Sequence, residues 1–79
     1  MPQQIPHHLH YSMVIEWSEE DEAFLVTLPE WSDRVIMPVT HGSTYGEAVQ
    51  NGQEVLEMLV DNAIQDKEAP PPPKTHAGT

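Results

Sequence analysis

Cysteine is absent from the 79 residues, so no disulfide can staple the fold and no thiolate can hold a metal. Positive charge is scarce. Arg34, Lys67 and Lys74 stand against 13 acids, a formal net charge of −10. So few bases cannot neutralise a phosphate backbone, which argues against direct nucleic-acid binding. The charge suits a basic protein partner reached by electrostatic steering, or simply keeps the chain in solution. No apolar run approaches the roughly 18–20 residues of a membrane span. Met1 to His10 has neither the basic nor the apolar region of a signal peptide. A cytoplasmic protein with no membrane association is therefore expected. Phosphate-binding loops, dinucleotide fingerprints, zinc-protease words and nucleophile elbows are missing as well, so neither an enzyme nor a cofactor is expected. A chain this short buries only about 60% of its unfolded surface. Small chains without staples gain core by self-association, so a homo-oligomer, first of all a dimer, is expected.

What is present reads as strands, then one helix. Residues 1–8, with two prolines and two glutamines, form a flexible arm. From Leu9, apolar residues alternate: Leu9, Tyr11, Met13, Ile15 and Trp17 share one face, the mark of a strand. The acidic stretch Ser18 to Glu22 is a hairpin turn. Ala23 to Leu28 is a second strand with Phe24, Val26 and Leu28 on one face, stopped by Pro29. Its other face carries Leu25, which needs cover from a partner or from the arm. Glu30 to Arg34 reads as a loop bearing Trp31. Val35 to Thr40 is a third β-prone run, and Pro38 within it makes it an edge or bulged strand.

At Thr44 the pattern changes. Thr44 and Glu47 have the spacing of a capping box, in which the threonine hydroxyl accepts from the Glu47 N–H and the glutamate reaches back to the N–H of Thr44. Gly42 just before them supplies a backbone free to take positive φ. The helix should run from Tyr45 to Asp66, about 33 Å at 1.5 Å per residue. Its apolar stripe is Tyr45, Ala48, Val49, Gly52, Val55, Leu56, Leu59, Val60 and Ala63, and the opposite face is acidic. Gly52 inside that stripe costs roughly 1 kcal/mol against alanine, which a close approach of helix and sheet would explain. Residues 70–79 form a proline-rich tail, a stiff exit or a polyproline II segment. The fold class is α+β, a three-stranded antiparallel sheet with one long helix on one face in the order β-β-β-α, with room for a short strand after the helix.

Few constellations carry chemistry. His7, His8 and His10 lie within four residues, but they lack the further fixed ligands of a structural metal site. His41 has only Ser43 and Thr44 nearby, and turn and cap roles already account for both. The cluster Glu16, Glu19, Glu20, Asp21 and Glu22 lacks the spacing and glycine of a calcium loop and suits either a cationic partner or a solvated turn. Of the two tryptophans, Trp31, in a loop after a proline, is the better candidate for an exposed anchor. Glu19, Glu20, Asp21, Glu22 and Trp31 are therefore the expected partner-binding residues, with Thr44 and Glu47 as a structural cap.

The words in this order resemble a known family. Tyr11-Ser12-Met13-Val14-Ile15-Glu16-Trp17, an acidic turn and Ala23-Phe24-Leu25-Val26-Thr27-Leu28-Pro29-Glu30 are similar to the opening hairpin of HicB-type antitoxins and its hydrophobic-Pro-acid corner. Thr40-His41-Gly42-Ser43-Thr44-Tyr45-Gly46-Glu47-Ala48-Val49 resembles the start of that family's helix, and Asn51 to Glu57 continues the likeness. It spans Tyr11 to Asp66 and makes residues 9–69 a HicB-like domain. The resemblance implies a partial ribonuclease H fold and an antitoxin that neutralises a HicA-type toxin, a small basic mRNA-cleaving protein, by direct binding. An alternative is a stand-alone oligomeric module of the same type, without a toxin. The chain departs from the family where Asp21-Glu22 replaces a common glycine and Gly46 a frequent acid. The short segment after the helix leaves no room for the DNA-binding module that many relatives carry.

Overall fold

The structure, a computed structural model, describes residues 10–76. The arm at residues 1–8, with His7 and His8, and also Leu9 lie outside the described residues. Three antiparallel strands, β1 (Val14–Ser18), β2 (Ala23–Thr27) and β3 (Thr40–Gly42), form a sheet in the order β1-β2-β3. The helix α1 (Tyr45–Gln65) packs across one face, giving the expected α+β sandwich. Its core joins Val26, Leu28, Trp31, Ala48, Leu56, Val60 and Ala63.

β1 begins later than the alternation from Leu9 suggests. Val14 pairs with Thr27, and continuing that register would set Ser12 opposite Pro29. Proline has no N–H to donate, and the chain there turns into a 3-10 turn, Pro29–Trp31. The inward pattern survives without the ladder, since Tyr11, Met13 and Ile15 still pack against the core. The third strand also moves. Residues 35–39 are irregular, and β3 is confined to Thr40–Gly42. Val35 N–H is taken by the Trp31 carbonyl at 3.0 Å, and Pro38 has nothing to donate. Pairing with β2 therefore starts only where Val39 N–H meets the Val26 carbonyl at 2.9 Å.

The helix start is as expected in outline and different in two details. Thr44 Oγ1 accepts from the Glu47 N–H at 3.1 Å. The Glu47 carboxylate, however, accepts from the Ser43 N–H and not from that of Thr44. Gly42 does not take positive φ. It is needed for space: a Cβ there would run into the backbone of Ala48, so β3 and the first turn of α1 touch directly. Asn51 Nδ2 adds a bond to the His41 carbonyl at 2.7 Å. Gly52 is the close approach that its place in the stripe implied, where a Cβ would lie 2.8 Å from Met13 Sδ and 3.1 Å from Val26 Cγ1.

The helix ends one residue earlier than Asp66, in a Schellman arrangement. Lys67 takes φ 59. Its N–H donates to the Ile64 carbonyl at 3.0 Å, and the Glu68 N–H reaches Ala63 at 2.8 Å. Residues 68–76 then form neither helix nor strand. Within them Pro71 is buried and its carbonyl accepts from the Tyr11 hydroxyl at 2.6 Å.

Two sets of substitutions test these local arguments in urea unfolding. Gly42→Ala should cost about 2–3 kcal/mol, because the obstacle is backbone. Gly52→Ala should stay within about 1 kcal/mol of the parent, because helix propensity offsets displacement of a flexible thioether. Lys67→Gly should stabilise by about 1 kcal/mol, since glycine adopts the left-handed cap without the Cβ penalty.

Candidate protein-binding surface

The expected contact residues divide sharply. Glu19, Glu20, Asp21 and Glu22 are all exposed on the loop joining β1 to β2. Ser18 Oγ bonds the Asp21 carboxylate at 3.1 Å and accepts from the Asp21 N–H at 3.2 Å, which shapes the turn. Glu22 has φ 52, so this turn position takes the left-handed conformation. A glutamate there costs roughly 1–2 kcal/mol.

Trp31 does not belong with them. It is only 2% exposed and sits in the core, which corrects the expectation of an exposed anchor. The cause is the corner after β2. The 3-10 turn, closed by Trp31 N–H on the Leu28 carbonyl at 2.9 Å, rolls the indole inward. Tyr11 meets its ring edge-on at 5.5 Å, and the Arg34 guanidinium lies over it at 5.6 Å.

Beside Trp31, the buried Glu30 carboxylate holds the corner shut. It accepts from the Ser12 N–H at 3.1 Å, the Ser12 hydroxyl at 3.1 Å and the Lys74 N–H at 2.8 Å. Burial alone would push this carboxyl up. The backbone N–H groups of Lys74, Ser12 and Glu30 itself, with the Ser12 hydroxyl, outweigh burial and bring it below its ordinary 4.5. The Tyr11 phenol is raised, first by burial and then by the Glu30 charge, against a smaller opposite pull from Arg34.

The acidic hairpin occupies one pole and the cations lie away from it. The loop joins the end of β1 to the start of β2, whereas Arg34 follows the opposite end of β2 on Trp31. Lys67 follows the far end of α1, which starts against Gly42 and Phe24, and the Lys74 backbone is tied to Glu30. At the acidic pole a row of rings missed by the sequence reading reaches solvent at both ends, while its middle ring, Phe24, packs against the core. Trp17 and Phe24 pair across the strands with centroids 5.0 Å apart, and Phe24 meets Tyr45 at 4.3 Å. Trp17 is 48% and Tyr45 64% exposed. The signal lay in the register, since Trp17 and Phe24 are placed symmetrically about the turn, and in Tyr45 opening the helix.

On the other sheet face an open groove of about 420 Å³ runs between Asp21 of the hairpin, Leu25 of β2 and the segment from Pro38 to His41. That segment gives Leu25 part of the cover it needs. His41 is exposed and shares this groove with Asp21, while Thr44 is engaged in the cap. Among the described residues, no three or more histidine, aspartate or glutamate side chains converge as metal ligands. None of the described helices is long and apolar enough to cross a membrane.

The depressed Glu30 carboxyl has a signed consequence. Its stabilisation is fully present above the unfolded value and is lost as pH falls through the lower folded value. Urea midpoints from pH 7 to pH 2 should therefore decline in the parent. Glu30→Gln should be less stable by about 2 kcal/mol at neutral pH, with a shallower decline below pH 4.5. No protein-family model, curated protein or solved structure matches the chain.

Proposed function

We propose that this chain is a HicB-like antitoxin, a cytoplasmic binding protein without catalysis of its own. It neutralises a small basic HicA-type mRNA-cleaving toxin by covering the surface that the toxin uses on RNA. The observation that carries the reading is the acidic hairpin: four consecutive exposed carboxylates at one pole, with the chain's cations elsewhere. Such a surface accelerates encounter with a basic protein and orients it on arrival. The β-β-β-α order agrees with the partial ribonuclease H fold that the resemblance implies, and the capped helix holds the face rigid.

A second reading is a stand-alone oligomeric module without a toxin. It is favoured by the sheet face that α1 leaves open, with Val14 40% exposed and Leu25 beside the groove. Self-association through that face, as a dimer, is compatible with either reading.

Co-expression with a candidate HicA-type toxin, sought as a toxin-sized basic reading frame beside the gene, decides between them. Restored growth and co-purification are expected, and a bona fide toxin that is neither bound nor neutralised overturns the antitoxin reading. Within a complex, Glu19→Lys, Glu20→Lys and Asp21→Lys together should slow association by about tenfold or more and flatten its salt dependence. Unaltered rates would place the contact elsewhere.

A further inference from the structure

The ring row at the acidic pole explains more than charge does. Trp17, Phe24 and Tyr45 line up with centroid separations of 5.0 and 4.3 Å, and the two outer rings are about half exposed or more. A carboxylate stands at the Trp17 end of the row. Trp17 Nε1 donates to Glu19 at 3.2 Å. Aromatic faces carry negative potential and attract cations, and nearby carboxylates add to that field. The chain makes this pairing once internally, where Arg34 covers Trp31 at 5.6 Å. Arg34 is the chain's one arginine and is engaged there, while Lys67 and Lys74 belong to the far end of the fold.

We infer that the Trp17–Phe24–Tyr45 row seats an arginine side chain of the basic partner, its guanidinium over Trp17 with Glu19 as the counter-charge and its aliphatic stem along the rings towards Tyr45. Arginine is favoured over lysine because a planar, weakly hydrated guanidinium can stack and hydrogen-bond a carboxylate at once. The inference rests on the basic-partner reading above and names how that partner is held. It needs no catalytic step.

The test uses the full chain and two synthetic peptides of equal length, an Arg-Gly repeat and a Lys-Gly repeat, titrated by calorimetry. Tyr45→Ser removes the most exposed ring. Trp17→Phe keeps a ring against Phe24 but loses the indole, so the seat can be tested even if Tyr45→Ser unfolds. The arginine peptide should bind about threefold or more tightly than the lysine peptide, and each folded variant should reduce that affinity by about threefold. Equal affinity for the two peptides, no binding of the arginine peptide, or unchanged affinity in the variants overturns the seat. These peptide results judge the seat alone. Binding of a HicA-type toxin judges the antitoxin reading, so either can fail without the other.

Discussion

The rest of the structure depends on one buried carboxylate. Glu30 sits at the corner where β2 stops, and its oxygens gather the approach to β1, the 3-10 turn and the segment after the helix. An ionised group out of water is costly unless donors replace the solvent. Here the donors are mainly backbone N–H groups, which side-chain exchange elsewhere cannot remove. Because the charge must be satisfied, segments 18 and 44 residues away from Glu30 in sequence are brought to one point. That convergence buries Trp31, sets Tyr11 edge-on to it and places Pro71 under the Tyr11 hydroxyl.

The opposite pole is organised by a second constraint, direct contact of β3 with the helix start. Gly42 allows the backbone of Ala48 to approach, and Thr44 and Glu47 satisfy the first-turn donors. Tyr45 is thereby laid against Phe24, which the β1–β2 register has already paired with Trp17. The antiparallel hairpin thus assembles acids and rings at one end of the sheet. It leaves the cations at the other end because Arg34 follows the far end of β2.

Much of this was legible in the residues. Period-two alternation gave the hairpin, the 100° stripe gave the buried line from Ala48 to Ala63, and Thr44 with Glu47 marked the helix start. Gly52 in the stripe rightly implied close packing, because its cost in a helix needs a steric reason. The misreadings share a different origin. Gly42 looked like a conformational glycine and is a spatial one, since what excludes its Cβ is a segment that folds back from later in the chain. Trp31 looked exposed because a loop after proline usually is, and nothing local shows that the turn rolls inward. The third strand slipped towards Gly42 because β propensity does not say whose N–H a partner will take.

The sequence by itself determined the fold class, the helix, the acidic hairpin and the shortage of positive charge. These follow from periodicity, capping chemistry and composition, all of which act between near neighbours. Only the tertiary structure decided which tryptophan is core and which is surface, that Glu30 is a buried anchor, and that Trp17, Phe24 and Tyr45 form one row. Each of those depends on strand register or on a hydrogen bond between distant segments. Register and burial are set by the packing of the whole chain, and no local pattern carries them.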